Sequence, residues 1–384
     1  MTDTRLAWYE FFAGGGMARL GLGSRWKCAF ANEWCEKKAA AYRAYFGRSP
    51  ELLVKDVAEL SVDDLPGEPD LVWASFPCQD LSLAGSGAGL DGERSGTFKP
   101  LWRLVKSMAR KGRTPSLVVL ENVVGTLTSH QGSDFTAIVR ALSGSGYRVG
   151  ALVIDAVRFL PQSRPRLFLV GAQSSLPIAR GLSCQAPLEP WHPKALVRAA
   201  ESLPQSLRTH WVWWSLPVPH CRVPTLESLI EENPTATCWH TAVETKKLLN
   251  LMDSLHRKKV DDARRLGGRW IGTVYKRTRL NGDGAKTQRA EVRFDGIAGC
   301  LRTPVGGSSR QTVIVVENGT VRTRLLSPRE AARLMGVPDS YPLPCSYNEA
   351  YHVFGDGVAV PVVRWLEKYL LSPLSEYRTF EQVA

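Results

Sequence analysis

A cysteine follows a proline in the segment Phe76-Pro77-Cys78-Gln79, directly after an apolar run that predicts a strand over Asp70–Ala74. Proline stiffens the turn, so Cys78 should lie at the carboxyl edge of a sheet, where ligands bind in open α/β sheets. A thiolate is a strong nucleophile, but a free cysteine has a pKa of about 8.5 and ionises only slightly near neutrality. A lone cysteine after a proline is more often an inert small hydrophobe. Its interpretation therefore depends on the groups around it.

A carboxylate and two arginines follow later strands. The next apolar run, Leu117–Leu120, ends in Glu121-Asn122-Val123, and a later loop holds Gln162-Ser163-Arg164-Pro165-Arg166. We expect Glu121, Arg164 and Arg166 to meet Cys78 at one sheet edge, where a nearby arginine, or proton loss on attack, would supply the thiolate. Such a set suits addition of a thiolate to carbon 6 of cytosine, which turns the ring into an enamine and makes carbon 5 reactive. Glu121 would donate to ring N3 and accept from the exocyclic amine, and Arg164 would hold the ring carbonyl oxygen.

A glycine-rich turn opens the first helical run. Phe12-Ala13-Gly14-Gly15-Gly16 ends a strand predicted over Leu6–Phe12 and precedes Met17–Leu22. Glycines there permit a tight turn and let backbone N–H groups approach a ligand at a helix N-terminus. Glu33 and Asp56 follow the next two apolar runs, where they would accept from ribose hydroxyls and an adenine amino group. A dinucleotide is the rival ligand, although the turn lacks the spacing of the dinucleotide fingerprint.

The chain predicts two domains of unequal regularity. Residues 1–170 alternate strand-like and helix-like stretches, which indicates an α/β fold with a mostly parallel sheet. Near residue 173 a stretch rich in Pro, Ser and Gly, 174–193, predicts a linker to an irregular region rich in tryptophan. Order returns at Ser327-Pro328-Arg329-Glu330, which has the N-cap, first-turn proline and acidic third residue of a helix start. We expect a catalytic domain over 1–175, completed by a C-terminal helix within about 350–384 that ends near Leu371, and a smaller domain over 176–349.

The charge is large and uneven. The net charge is +12, and residues 241–300 contain 14 Lys plus Arg against 7 Asp plus Glu. A basic stretch of this kind fits a polyanionic partner, although a solvated basic surface without a partner is an equal alternative. The eight cysteines include no C-x-x-C pair, which argues against a metal site and a disulfide framework. No window is long and apolar enough for a membrane span, so we expect a cytoplasmic protein.

Taken together, these motifs resemble the DNA cytosine-5 methyltransferase family of bacterial restriction-modification systems. The resemblance covers nearly the whole chain apart from about 174–291. Phe76-Pro77-Cys78-Gln79 is the most specific match, to the nucleophile motif of the family. The segment Phe12–Gly16 resembles its cofactor turn, and Glu33-Trp34 and Asp56-Val57 resemble its ribose-side and adenine-side contacts. Four further segments resemble other motifs of the family: Glu121-Asn122-Val123, Gln162–Arg166, Arg324–Gly336 and Gly355–Val362. The resemblance implies a Rossmann-like, S-adenosylmethionine-dependent methyltransferase sheet with a smaller, irregular target-recognition domain.

The resemblance also implies roles for individual residues. Those expected to bind S-adenosylmethionine, with S-adenosylhomocysteine as product, are Phe12, Ala13, Gly14, Gly16, Glu33, Trp34, Asp56, Val57, Pro77, Phe98 and Asp356. Catalysis would use Cys78, Glu121, Arg164 and Arg166 on a cytosine flipped out of duplex DNA. The region of about 183–293 would recognise the sequence. Candidate DNA contacts are Gln79, Ser82 and Arg94, in a glycine-rich stretch expected to form a lid, together with Arg264, Arg265, Lys276, Arg277 and Arg279.

The expected partner is double-stranded DNA, bound by a monomer that serves a restriction or defence system. Two alternatives stay open from the sequence. One is an RNA cytosine-5 methyltransferase of the same fold, which the large basic variable region disfavours. The other is a non-catalytic DNA-binding relative, which the joint presence of Cys78, Glu121 and Arg164 disfavours.

Overall fold

The structure, a computed structural model, describes residues 5–77, 96–220, 222–280, 284–303 and 310–381. These residues form two compact units. Unit 1 takes the described residues of 1–155, 165–218 and 360–384, and unit 2 those of 156–164 and 219–359. Unit 1 thus extends to Val218, whereas the sequence placed the domain boundary near residue 175.

Unit 1 is built on a sheet in which seven described strands pair. These are β1 Leu6–Phe11, β2 Trp26–Glu33, β3 Leu52–Val54, β4 Leu71–Ser75, β5 Leu117–Val123, β6 Tyr147–Asp155 and β7 Pro165–Gln173. Their order is β3-β2-β1-β4-β5-β7-β6. Within that order β7 pairs antiparallel with β5 and β6, and the other neighbours pair parallel. The carboxyl ends of β1 to β5 and the beginning of β7 therefore share one edge.

Helices cover this sheet. They are α1 Met17–Leu22, α2 Glu36–Phe46, α3 Phe98–Arg110, α4 Ser133–Ser143, α5 Lys194–Glu201 and α6 Gln205–Arg208, and later in the chain α12 Val360–Leu366 and α13 Ser372–Glu381. Strands β4 and β5 are buried along nearly their whole length, as strands covered on both faces should be. The predicted α/β fold with a mostly parallel sheet is confirmed. The C-terminal helical region runs past the predicted end at Leu371, because a π-helical stretch, Glu367–Leu371, leads directly into α13.

The stretch predicted to be a linker packs against the sheet instead. Its short strand β8, Ser183–Cys184, pairs with β9, Trp213–Trp214, in the region that follows the predicted linker. Val149 of β6 accepts from the Val212 N–H at 2.8 Å and donates to the His210 carbonyl at 3.0 Å. Trp214 is fully buried and donates its indole N–H to the Val170 carbonyl. These contacts cover the outer edge of β6, which explains why unit 1 continues to Val218.

Unit 2 contains a four-stranded antiparallel sheet in its described part, in the order β11-β10-β12-β13. The strands are β10 Arg269–Leu280, β11 Lys286–Arg293, β12 Thr312–Glu317 and β13 Thr320–Leu325, and the helices are α7 Leu226–Leu229, α8 Ala242–Asn250, α9 Ser254–Leu266, α10 Pro328–Leu334 and α11 Tyr347–Asp356. The predicted helix start is confirmed at α10, where Ser327 and Glu330 form a reciprocal capping box. Glu330 also binds Arg324 at 2.6 Å, with both side chains fully buried. Among the residues described, no helix combines the length and apolar character that a bilayer crossing requires.

Candidate active site

The ends of β4 and β5 bring two of the sequence motifs together. Ser75 at the end of β4 pairs with Glu121 in β5. Asn122 donates its side-chain amide to the Phe76 carbonyl at 3.1 Å, while its Oδ1 accepts from the Val123 N–H. The segment that leads into Cys78 is therefore tied to the strand that carries Glu121. Cys78 itself lies outside the described residues, as do Gln79, Ser82 and Arg94 with the predicted lid.

Glu121 and Arg166 form an ion pair at this edge. The Arg166 Nε atom lies 3.2 Å from Glu121 Oε1, and the two side chains are 16% and 7% exposed. The pairing follows from the sheet register, because Val123 of β5 stands opposite Arg166 at the beginning of β7. A carboxyl group next to a fixed guanidinium offers a hydrogen-bonding edge for the ring N3, exocyclic amine and carbonyl oxygen of a cytosine.

Arg164 has a different environment. Its guanidinium, 2% exposed, donates to the carbonyl of Leu301 at 3.0 Å and to those of Gly355 and Gly357 at 2.8 and 2.7 Å. A contact to the Cys300 sulfur at 3.3 Å adds to this set. These partners belong to unit 2, and they use most of the donors of the guanidinium. The structure thus gives Arg164 a bracing role there, and it places Arg166 beside Glu121.

A cavity of about 440 Å³ opens at the same edge of unit 1. Five of the predicted cofactor residues line it: Phe12, Trp34, Asp56, Val57 and Pro77. Trp34 is 70% exposed, so a large aromatic face is open to a ligand. The Asp56 carboxylate accepts from the Ala58 N–H at 2.8 Å and caps a short 3-10 helix. An aromatic face and a fixed carboxylate around a cavity of this size suit an adenosine-containing ligand.

The glycine-rich turn is held in a left-handed conformation. Phe12, Gly14 and Gly16 have φ values of 59°, 56° and 77°. Gly16 tolerates no side chain, because a Cβ there would clash with the rings of Phe46 and Tyr42. A positive φ at the non-glycine Phe12 is uncommon and typical of a functional site.

The buried carboxylate of Glu33 holds this turn in place by hydrogen bonds to backbone N–H groups. Its carboxylate accepts from the backbone N–H groups of Gly14 at 2.8 Å, Trp34 at 3.1 Å and Cys35 at 2.9 Å. The side chain is 3% exposed and does not line the described cavity. Glu33 therefore fixes the positions of Gly14 and Trp34, and the expected contact with a ribose stays a prediction.

The remaining predicted cofactor residues are not among those that line this cavity. Ala13 and Gly16 are buried in the turn. Phe98, 2% exposed, packs between Phe76 and Trp102 in the core. Asp356 is the exposed last residue of α11 in unit 2. The cavity also has lining residues that the sequence did not single out, namely Asn32, Ala58, Gly96, Thr97 and Pro100. Asn32 carried a usable signal, since it is a polar residue that precedes Glu33 directly after the apolar run Cys28–Ala31.

The predicted DNA-contact residues of unit 2 fall on two elements. Arg264 and Arg265 are exposed near the end of α9, where Arg265 pairs with Asp262 and Arg264 donates to the Gly319 carbonyl. Lys276, Arg277 and Arg279 lie on a long exposed extension of β10 paired with β11, which we call the basic ribbon (276–280 and 286–289). Arg279 donates to Glu291 at 2.9 Å, and Arg277 lies 3.6 Å from the same carboxylate.

Comparison with known proteins decides the family. The model of the C-5 cytosine-specific DNA methylase family matches residues 6–372. The chain belongs to this family. As a methylase of this family it is 28% identical over 362 residues to the type II methyltransferase M.BsuFI of Bacillus subtilis, covering 94% of this chain and 71% of that relative. It is 26% identical over 376 residues to the type II methyltransferase M.HhaI of Haemophilus parahaemolyticus, covering 97% and 96%.

Solved structures agree with the fold of this methylase. The Dnmt2 methyltransferase of S. pombe superposes with a TM-score of 0.60 at 15% sequence identity, covering 96% of this chain and 99% of the other. The methyltransferase EhMeth of Entamoeba histolytica superposes with a TM-score of 0.61 at 13% identity, covering 97% and 99%. The resemblance inferred from the motifs is therefore confirmed for both family and fold.

Proposed function

We propose that this methylase transfers a methyl group from S-adenosylmethionine to carbon 5 of a cytosine flipped out of double-stranded DNA, through a covalent adduct with Cys78. The observation that carries the proposal is the edge formed by β4, β5 and β7. There Glu121 is paired with Arg166, and Asn122 holds the carbonyl of Phe76 two residues before Cys78.

In the proposed reaction, each residue of the site has a defined role in bond formation or proton transfer. The Cys78 thiolate forms a bond to carbon 6, and the ring electrons move towards N3 and the carbonyl oxygen. A protonated Glu121 donates to N3, and its other oxygen accepts from the exocyclic amine. Arg166, rather than Arg164, donates to the ring carbonyl oxygen, because Arg166 is the arginine beside Glu121. Carbon 5 would then take the methyl group from bound S-adenosylmethionine, with S-adenosylhomocysteine as the leaving group. A base would remove the proton of carbon 5, and the bond between carbon 6 and the Cys78 sulfur would break to release the thiolate.

The cofactor would be held at the cavity of unit 1. S-adenosylmethionine, when bound, supplies an electrophilic methyl group. Phe12, Trp34, Val57 and Pro77 provide apolar and aromatic walls for it, and Asp56 provides an acceptor for the adenine amino group. Glu33 keeps the glycine-rich turn in place through three backbone N–H groups, so its effect on binding includes a positioning component.

Recognition of DNA is assigned to unit 2. Its basic ribbon and the end of α9 carry exposed arginines that can replace the counterions of DNA phosphates. Flipping the cytosine costs a few kcal/mol, which contacts to the backbone and to the flipped base offset. The type II names of M.BsuFI and M.HhaI support a role beside a restriction or defence system. We further propose that the enzyme acts as a cytoplasmic monomer.

A trapping assay with duplex DNA that contains 5-fluorocytosine tests the proposal. Fluorine replaces the carbon 5 proton that a base must remove after methyl transfer, and a base cannot abstract it. With the methyl donor present, the wild-type chain should therefore form a denaturant-stable adduct, and Cys78→Ala should form none. The tritiated methyl donor with unmodified DNA should yield 5-methylcytosine. Adduct formation in Cys78→Ala would refute the assigned nucleophile. Methylation of tRNA in preference to duplex DNA would refute the assigned substrate, and DNA binding without either product would refute catalysis.

A further inference from the structure

A second cavity lies in unit 1, at the edge of the sheet opposite to Glu121. It has a volume of about 600 Å³ and is formed by the beginning of β6 and the segment 178–213. Arg148 in β6 stands level with Leu117 at the start of β5, since both pair with Ala172. Glu121 lies four residues further along β5. The cavity is therefore separate from the carboxyl edge that carries the proposed chemistry.

Two buried donors in the wall of this cavity lack an acceptor. Among the residues that the structure describes, neither the Arg148 Nε atom nor the Trp211 Nε1 atom has a hydrogen-bond partner. The other end of the Arg148 guanidinium is fixed, because an Nη atom donates to the Leu176 carbonyl. A buried N–H group left without an acceptor costs about 1–3 kcal/mol. Two such groups on residues of one cavity wall suit a bound molecule that supplies acceptor oxygens.

His192 adds a third donor nearby. It lines an adjoining cavity of about 370 Å³, which shares Pro187 and Glu201 with the first. The His192 Nδ1 atom accepts from the Leu188 N–H at 2.8 Å, so the ring proton is on Nε2. Burial lowers the pKa of His192 to about 4, which keeps the ring neutral. In the described part of the chain its buried Nε2 also finds no acceptor, although the residue is only 2% exposed.

The rest of the wall is aromatic and apolar with an excess of positive charge. Trp211 and Trp213 meet at 5.5 Å between ring centroids, and Trp213 meets the His192 ring at 4.9 Å. Ile178 and Pro187 add apolar surface. Of the described charged residues that line the larger cavity, Arg148 and Arg208 are cationic and Glu201 is anionic. Acceptor oxygens, negative charge and a flat apolar ring are thus the three properties that this wall complements.

We propose that this cavity binds a nucleotide, with phosphate oxygens on the Arg148 and Trp211 N–H groups and the base against the apolar wall that includes Trp213. The volume is ample for one nucleotide, because cavities of about 300–1,000 Å³ hold ligands of that size. The nucleotide is either free in solution or part of a single strand of nucleic acid, and both present the same ring and phosphate.

The test is a titration of the chain, labelled with ¹⁵N at the tryptophan indoles, with 2′-deoxycytidine monophosphate and with adenosine monophosphate. The Trp211 indole signal, identified by its loss in Trp211→Phe, should shift and saturate. The indole signals of Trp191 and Trp214 should not move, because their N–H groups already donate to the Leu216 and Val170 carbonyls. Trp211→Phe keeps an aromatic ring without the donor and should weaken binding about tenfold, as should Arg148→Met.

The indole signals also distinguish this cavity from the cofactor cavity. A shift of Trp34 without Trp211 would mean that the nucleotide occupies the cofactor cavity, and it would overturn the proposal. An unchanged Trp211 signal at millimolar nucleotide would also overturn it and leave water as the partner of these donors. Persistence of the Trp211 shift in Asp56→Ala would support it. A short single-stranded oligonucleotide that binds more tightly than the mononucleotides would identify the nucleic acid strand as the source, and weaker binding would identify the free nucleotide.

Discussion

The charged side chains at the sheet edge around Glu121 and those of the basic ribbon of unit 2 differ in solvent exposure and in how they are paired. Glu121 is 7% exposed and is held by Arg166 on a neighbouring strand of a covered sheet. In the ribbon, Arg277 and Arg279 are about half exposed and share one carboxylate, that of Glu291. The first arrangement fixes the geometry of few groups, which suits chemistry. The second keeps several cations in water and able to exchange partners, which suits a polyanionic surface.

The largest expected effect follows from disturbing the buried pair. Glu121→Gln keeps the shape of the side chain and its hydrogen bond to N3, but the amide has no acidic proton to transfer, so kcat should fall by about 10³-fold. Single-turnover methylation of duplex DNA measures this loss. DNA affinity, measured in parallel by fluorescence anisotropy, should change little. An equal loss of affinity and rate would show that Glu121 acts in binding and not in the reaction.

A second buried carboxyl group, that of Glu10, tests how much the ionisation of a buried side chain destabilises unit 1. Burial raises the pKa of Glu10 to about 8, against an ordinary value of 4.5, and its side chain is 2% exposed. The folded state therefore binds a proton that the unfolded state releases, and stability falls as pH rises from about 4.5 to 8. Glu10→Gln should remove this fall and stabilise the fold above pH 8 by up to about 5 kcal/mol.

Urea unfolding of wild type and Glu10→Gln at pH 5 and pH 9 measures the Glu10 effect. The exposed Glu59→Gln serves as the control and should leave the pH dependence of the wild type unchanged. A wild-type stability that does not fall between these pH values would contradict the raised pKa.

The two arginines of the Gln162–Arg166 loop should separate stability from rate. Arg164→Met leaves the carbonyls of Leu301, Gly355 and Gly357 without their donors, so the free energy of unfolding should fall by about 3 kcal/mol. Arg166→Lys keeps a cation beside Glu121 but loses the guanidinium geometry, so kcat should fall about tenfold or more with little loss of stability. Thermal unfolding and single-turnover rates compare the pair. A stable but inactive Arg164→Met would return the catalytic role to Arg164.

The smallest effect is expected in the ribbon. Glu291→Gln removes the carboxylate that binds Arg277 and Arg279, so nonspecific DNA affinity at low salt should rise a few-fold and show a steeper salt dependence. Arg279→Ala should weaken binding and reduce the salt slope by about one. Anisotropy titrations at several salt concentrations measure both. Unchanged slopes in both variants would place the DNA contact elsewhere on the chain.

The sequence predicted the positions of the strand ends and turns at the sheet edge better than the tertiary contacts of the residues around them. Strand ends, the glycine-rich turn and the Ser327 capping box depend on local patterns of a few residues, and each lies where the sequence indicated. The different environments of Arg164 and Arg166 could not be predicted from such local patterns. Their spacing suggests one face of a strand, but β7 begins at Pro165, so Arg164 stands before the alternation starts.

The tryptophan-rich segment was also beyond local reasoning. The Pro, Ser and Gly content of 174–193 predicts a linker in front of it, whereas Trp191 of that stretch and Trp214 of the region after it are both fully buried in unit 1. That burial depends on Gly150 in β6, where a Cβ would clash with the Val212 carbonyl and the Trp214 ring. Such a match between a glycine and a residue more than sixty positions away depends on the tertiary structure, and the periodicity of neither segment predicts it.

The route of the chain through the two units has a consequence for its synthesis. Unit 1 takes residues from before and after unit 2, and α12 packs so closely on α1 that a Cβ at Gly21 would clash with Val363. Helix α1 begins directly after the glycine-rich turn. On the ribosome, α1 must therefore wait for its packing partner until all of unit 2 has been translated, although domains usually fold in order from the N-terminus. The nascent chain should complete the cavity lined by Phe12 and Trp34 late, so premature termination within unit 2 would yield a fragment whose glycine-rich turn lacks its support.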